Sequence, residues 1–183
     1  MDQYTYEIKI PKERVAVLIG KEGSIKKSIE EDTSTTLKID SNEGDVFVSG
    51  EDALKLYSAR EIITAIGRGF NPDIALKLLK SDIIFEIIHI AEYARNKNDE
   101  KRLKGRIIGQ EGKSRKIIEE LSDAHICVYG KTASFIGEAY NVSLAKRAVS
   151  SLLNGSTHAK VFKYLERQRV INKTKEFEAK NKG

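Results

Sequence analysis

Cysteine is almost missing from these 183 residues: the single Cys127 has no partner for an internal disulfide and cannot by itself build a thiolate metal site. A reducing, cytoplasmic location is the expectation. Proline occurs only twice and 40% of the chain is hydrophobic, which excludes collagen-like and disordered classes and leaves room for a packed core. Long apolar runs are absent too. The best, Ile83 to Ala94, is interrupted by Glu86, His89 and Glu92, far short of the roughly 20 residues a membrane helix needs. The N-terminal MDQYTYEIKIPKE alternates apolar and polar residues and carries charges, unlike a signal or transit peptide. The three histidines, His89, His125 and His158, are scattered, with no His-Glu-x-x-His and no cysteine pair, so no metal is expected.

What is present is charge, unevenly spread. Residues 1–70 hold 10 Lys/Arg against 13 Asp/Glu, net −3, and residues 71–183 hold 22 against 14, net +8. Nine basic residues fall between Arg95 and Lys116, against Asp99, Glu100 and Glu111. A stretch of this kind serves either a polyanionic partner or a solvated face.

The chain also repeats itself. GKEGSIKKSIEE, Gly20 to Glu31, aligns without gaps on GQEGKSRKIIEE, Gly109 to Glu120, with seven of twelve positions identical. Apolar pairs precede both, Leu18-Ile19 and Ile107-Ile108, and Leu37 and Ile39 answer to Ile126 and Val128. Two residues are lost before Val48–Asp52 matches Phe135–Ala139. A spacing of 87–89 residues is too long for a solenoid and suits a duplicated domain.

In the first copy residues 4–10 alternate like a strand, and Pro11 opens a helix that stops at Gly20. A second helix runs from Ser24 to about Asp32. Residues 36–40 and 45–49 alternate around Ser41-Asn42-Glu43-Gly44, a hairpin signal, and a long helix follows to about Ile66. Asn71-Pro72 starts a connector, with a helix over 73–80. The second copy reads likewise: a strand at Ile83–Ile90, a loop through RNKNDEK, a helix Leu103–Ile108, a helix Lys113–Ser122, strands near His125–Tyr129 and Ala133–Gly137, and a helix to about Leu153. A last helix, from Thr157 to about Ile171, fades into a polar basic tail. The fold class is α+β, with a first domain at 1–70, a connecting helix at 71–81, a second domain at 82–155, and a helix and tail at 156–183.

A tight Gly-x-x-Gly between helices permits positive φ and lets a phosphate backbone approach main-chain N–H groups with no Cβ in the way. It also makes a plain helical corner. Two copies, each preceded by apolar pairs and followed by Lys/Arg-rich helices, favour the first use.

Leu18-Ile19-Gly20-Lys21-Glu22-Gly23 and Arg106-Ile107-Ile108-Gly109-Gln110-Glu111-Gly112 resemble the signature of K-homology (KH) domains, and the element order matches type I. The connector GFNPDIALKLL and the block KRLKGRIIGQEGKSRKIIEEL are similar to archaeal KH proteins of ribosome assembly, whose eukaryotic relatives are the partner-of-Nob-one family. The resemblance implies two KH domains, each a three-stranded antiparallel sheet packed on three helices, and recognition of single-stranded RNA beside the glycine loop. It implies that Gly109, Gln110, Glu111 and Gly112 hold the sugar-phosphate and that Lys104, Arg106, Lys113, Arg115 and Lys116 supply countercharge. Ile107, Ile108, Ile118 and Ile126 would floor the groove, with core packing as the alternative for each. Gly20, Lys21, Glu22, Gly23, Lys26 and Lys27 form a weaker or docking site, because Glu30, Glu31, Asp32, Asp40, Glu43 and Asp45 surround it. The implied partners are small-subunit (16S-type) ribosomal RNA near its 3′ end, a Nob-type endonuclease and the α subunit of archaeal initiation factor two. A protein-docking scaffold, or a general single-strand binder of RNA or DNA without a ribosomal role, is the competing reading.

Enzyme motifs fail. Gly112-Lys113-Ser114 ends like a phosphate-binding loop, but Ile107 stands where its first glycine must be, and Gly67-x-Gly69-x-x-Pro72 follows a helix and ends in proline. No nucleophile–base pair is visible, and neither enzymatic activity nor a cofactor is expected.

Overall fold

The computed structural model describes residues 4–180 and divides into two compact units, the first ending at Phe85 and the second beginning at Glu86. In the first, β1 (Tyr4–Lys9), α1 (Lys12–Ile19), α2 (Ser24–Thr33), β2 (Thr36–Asp40), β3 (Asp45–Gly50) and α3 (Ala53–Gly67) follow in order. The sheet is antiparallel with β3 central, in the order β1-β3-β2. Alternation along β3 puts Val46 and Val48 inward, where they meet Ile8, Tyr6, Leu37 and Ile39 across the register, and leaves Phe47 outside and 40% exposed. Asp52 caps α3 by accepting from the N–H groups of Leu54 and Lys55. The connector forms α4 (Pro72–Ala75), capped by Asn71, then a 3₁₀ turn Leu76–Leu79, and buries Ala75 and Leu78 against α3.

The order repeats in β4 (Ile83–His89), whose first three residues still fall in the first unit, α5 (Lys97–Ile108), α6 (Lys113–Ser122), β5 (His125–Tyr129), β6 (Thr132–Glu138) and α7 (Ala139–Leu153), with sheet order β4-β6-β5. Both units are thus α+β, a three-stranded antiparallel sheet on three helices. The core of the second unit gathers Leu103, Ile107, Ile118, Phe135, Val149 and Leu152, all 2% exposed or less.

Two elements depart from expectation. RNKNDEK is not a loop. Asn96 accepts from Asp99 N–H and caps α5, whose first turn carries Asp99 and Glu100. The N–H of Arg95 and the guanidinium of Arg102 hold the Asp99 carboxyl below its usual range, so polar residues that looked like a linker are a capped, dipole-matched helix start. Nor does the last helix end near Ile171. α8 runs His158–Lys180, buries Val161 and Leu165 against α6 and α7, and places Tyr164 under the Arg147 guanidinium at 5.1 Å. Its last turns are built of good helix formers with no Gly or Pro to stop them.

An arginine fork closes each unit. Arg14 donates to the carbonyls of Ile66 (2.8 Å) and Phe70 (2.7 Å) at the end of α3, and Arg106 donates to Leu152 (3.2 Å) and Ser156 at the end of α7. Each adds a charged donor to carbonyls at or just beyond a helix end; those of Ile66 and Leu152 also accept from the N–H groups of Gly69 and Gly155. Arg14 and Arg106 are not equivalent in the repeat: the register differs by three residues, one turn along the same helix face. We expect Arg14→Ala and Arg106→Ala each to cost about 1.5–3 kcal/mol of stability, the value of hydrogen bonds to a charged group, seen as an earlier unfolding transition in urea.

Candidate nucleic-acid interface

Each glycine loop is a tight three-residue turn, Lys21–Gly23 and Gln110–Gly112, between two helices. The two agree closely. Gly20 sits at φ 74°, ψ 175° and Gly109 at φ 72°, ψ 176°, a backbone region essentially confined to glycine. A Cβ on Gly109 would lie 2.7 Å from the Ser114 nitrogen, and one on Gly20 would lie 2.8 Å from that of Ile25. The second glycines differ in kind. Gly112 is left-handed at φ 74°, ψ 12°, and a Cβ there meets nothing within 4 Å. The first glycine therefore lets the following helix pack close, and the second keeps the approach to the helix N-terminus open.

Glu22 (φ 54°) and Glu111 (φ 53°) are both left-handed and both exposed. This costs a non-glycine residue about 1–2 kcal/mol and turns the carboxylate outward.

Around the second loop the cations divide into two groups. Lys113 and Lys116 are exposed and, with Gln110, Glu111, Ile117 and Glu120, line a surface depression of about 450 Å³. The others are engaged. Arg106 holds the end of α7, Arg115 donates to the Ile126 carbonyl at 3.0 Å and pairs with Glu119 at 3.3 Å, and Lys104 Nζ donates to the Gly130 carbonyl at 2.6 Å. Of the isoleucines, Ile107 and Ile118 are fully buried and Ile126 is 2% exposed. The groove-floor expectation is corrected for these three: they are core, and only Ile108 is partly open. Ile117, half-exposed in the same depression, was not among the expected site residues, because a helix residue turned toward the surface carries no distinct pattern.

Around the first loop Lys21 and Lys27 are exposed and Lys26 is half-buried. The acids there have internal work. Glu30 accepts from Leu37 N–H, Asp40 from the N–H groups of Asn42 and Glu43, and Asp45 pairs with Lys9 at 2.9 Å. Among the described residues no cluster of three or more His, Cys, Asp or Glu could hold a metal, and no helix is long and apolar enough to cross a membrane.

Comparison with known proteins fits this geometry. The KH domain matches residues 5–65, and the eukaryotic type KH-domain (KH-domain type I) matches residues 84–170. A KH domain-containing protein of Methanocaldococcus jannaschii is 50% identical over 175 residues, 93% of this chain and 77% of that protein. The chain belongs to the tandem KH family of PNO1 and archaeal Dim2p. A chain in the crystal structure of the a/eIF2alpha–aDim2p–rRNA complex from Pyrococcus horikoshii OT3 superposes with a TM-score of 0.85 at 44% identity, covering 91% of this chain and 94% of that one. The RNA-binding protein pno-1 of Caenorhabditis elegans is 32% identical over 118 residues, 63% of this chain but only 43% of that longer protein.

In this tandem KH protein the loop glycines are not interchangeable. Gly109→Ala should destabilise the second unit by about 2–3 kcal/mol, since a steric clash adds to the backbone penalty, and Gly112→Ala by about 1 kcal/mol from backbone alone. Urea melts of the two variants measure the difference. Glu111→Gly should stabilise by about 0.5–1 kcal/mol, the left-handed penalty less glycine's added chain entropy.

Proposed function

We propose that the protein binds single-stranded RNA, namely small-subunit ribosomal RNA near its 3′ end, as a ribosome-assembly and pre-rRNA processing factor, and that the second KH domain carries most of the contact. The observation behind this is an asymmetry laid on equal geometry: two loops with the same dihedral angles and two exposed lysines each, of which the first is followed by Glu30, Glu31 and Asp32 in the −3 portion of the chain and the second, with Lys113 and Lys116, lies in the +8 portion. The open side of Gly112 accepts a sugar-phosphate without a Cβ in the way, and the α6 N-terminus adds its dipole. The rRNA and a/eIF2alpha named with the Pyrococcus horikoshii protein support ribosomal RNA and the initiation-factor subunit as partners. The Nob-type endonuclease follows from the family resemblance alone. KH domains bind and do not catalyse, and no enzymatic activity is proposed. The first domain acts as support or as a docking surface for protein.

Replacing Gln110 and Glu111 by two aspartates adds one negative charge at the clamp, since Glu111 is already a carboxylate, and should cost at least about tenfold in affinity, as charge-assisted contacts are worth about 1.5–3 kcal/mol. Two aspartates at Lys21 and Glu22 change the charge by two units and should nonetheless cost less. Equal losses refute the division between domains, and a folded Gln110/Glu111 variant that binds like wild type refutes the site.

Salt supplies a second test. With Lys113 and Lys116 as the free cations beside the loop, about two phosphates are neutralised and log K should fall against log salt with a slope of roughly −1 to −2. A slope steeper than about −5, or duplex RNA bound as tightly as single strands, means that charge alone makes the contact and the glycine loops are only corners.

A further inference from the structure

β2 and β5 are edge strands, and an edge strand presents unpaired N–H and C=O groups to whatever lies beside it. In each unit a glutamate from the preceding helix takes one of these groups. Leu37 N–H donates to Glu30 Oε1 at 2.7 Å, and Ile126 N–H donates to Glu119 Oε1 at 2.7 Å. The two glutamates hold the same place in the repeat, seven residues before the amide they accept from. The second unit goes further. Arg115 Nη1 donates to the Ile126 carbonyl at 3.0 Å and lies 3.3 Å from Glu119 Oε2. One residue of the edge strand thus has both backbone groups held by one carboxylate and one guanidinium. The first unit has Lys26 at the Arg115 position, a point charge on a flexible stem in place of a rigid planar donor.

α6 carries the glycine loop at its N-terminus, so its tie to β5 sets the separation between the loop and the strand edge. The side chains of Arg115 and Glu119 are 34% and 24% exposed, and Ile126 is 2% exposed, so the tie is made in a partly dehydrated setting where ionic hydrogen bonds are screened little. Lys113 and Lys116, one residue N-terminal and one C-terminal to the pair Ser114-Arg115, stay exposed.

Resting on the proposed binding of single-stranded RNA, we infer that Glu119, with Arg115, is a positioning pair that sets base selectivity in the second domain by fixing the distance between the phosphate-holding loop and the strand edge facing the bases. Arg115 is then not a phosphate contact. The pair's effect falls on which RNA binds, and Lys113 and Lys116 determine how strongly salt opposes binding.

The test uses the full chain and a random pool of single-stranded RNA decamers, sequencing the bound fraction for wild type, Glu119→Ala, Glu119→Gln, Arg115→Ala and Lys116→Ala, followed by salt titrations on the most enriched decamer. Glu119→Ala and Arg115→Ala should each lower enrichment at least about fivefold with the salt slope unchanged. Glu119→Gln keeps an acceptor for Ile126 N–H and should restore part of the selectivity. Lys116→Ala should do the reverse, losing about 0.7 from the slope with selectivity kept. If Arg115→Ala lowers the slope by that amount at unchanged enrichment, Arg115 is a phosphate contact and the inference is wrong. It is equally wrong if the Glu119 variants select RNA as wild type does. Should Glu119→Ala fail to fold, Glu119→Gln and Arg115→Ala decide between the same outcomes. Wild type that binds none of the pool overturns the proposed function itself, a result distinct from binding without altered selectivity.

Discussion

A backbone conformation open to glycine alone, at Gly20 and Gly109, underlies the interface in both units. The residue ends one helix by donating its N–H to the carbonyl four residues back, Ala16 or Gly105, and turns the chain at once into the next. Because no Cβ stands there, the second residue of the following helix packs against the corner. That contact sets the angle between α1 and α2, and between α5 and α6. Every later contact depends on where α2 and α6 then lie, including the reach of Glu30 to Leu37 and of Glu119 to Ile126.

The duplicated halves show which interactions tolerate change. Loop dihedral angles, left-handed glutamates, the helix-ending hydroxyls of Thr33 and Ser122, and the edge-strand glutamates recur at equivalent places. The hydroxyls and the edge-strand glutamates each satisfy a buried or half-buried polar group, and losing one leaves a donor or acceptor unpaired at a cost of about 1–3 kcal/mol. Surface charge has diverged freely, from −3 to +8, since an exposed charge contributes little to stability. Function can therefore be redistributed between the halves without altering the frame.

Arginine and lysine divide the labour by geometry. Arg14, Arg106 and Arg115 are bound to backbone carbonyls in part-buried settings, where a planar donor set can span two acceptors. Lys113 and Lys116 stay hydrated at the surface, where long-range attraction for a polyanion costs no desolvation until contact. Free surface cations and cations bound into the scaffold thus lie within one short stretch of helix.

The repeat, the order of elements, the glycine loops and the charge difference were legible from the chain, because each rests on local rules: alternation in β3, capping at Asp52 and Asn71, and backbone freedom at Gly109. The hidden features depend on distant partners. That Arg106 reaches the end of α7, 46 residues away at Leu152, and that Arg115 serves an edge-strand carbonyl cannot be read from residue type, since an arginine in a basic stretch looks the same whether it meets phosphate or protein. Ile107 and Ile108 are alike in sequence, yet one is fully buried and the other partly open. The 100° turn between adjacent helix positions assigns them to different faces, and only the packed neighbours decide which face is the core. Sequence by itself determined the fold and the place of the loop, through backbone geometry and apolar periodicity. Tertiary structure decided which charges remain free to meet a ligand, because that depends on which backbone carbonyls and carboxylates the fold brings within reach of each cation.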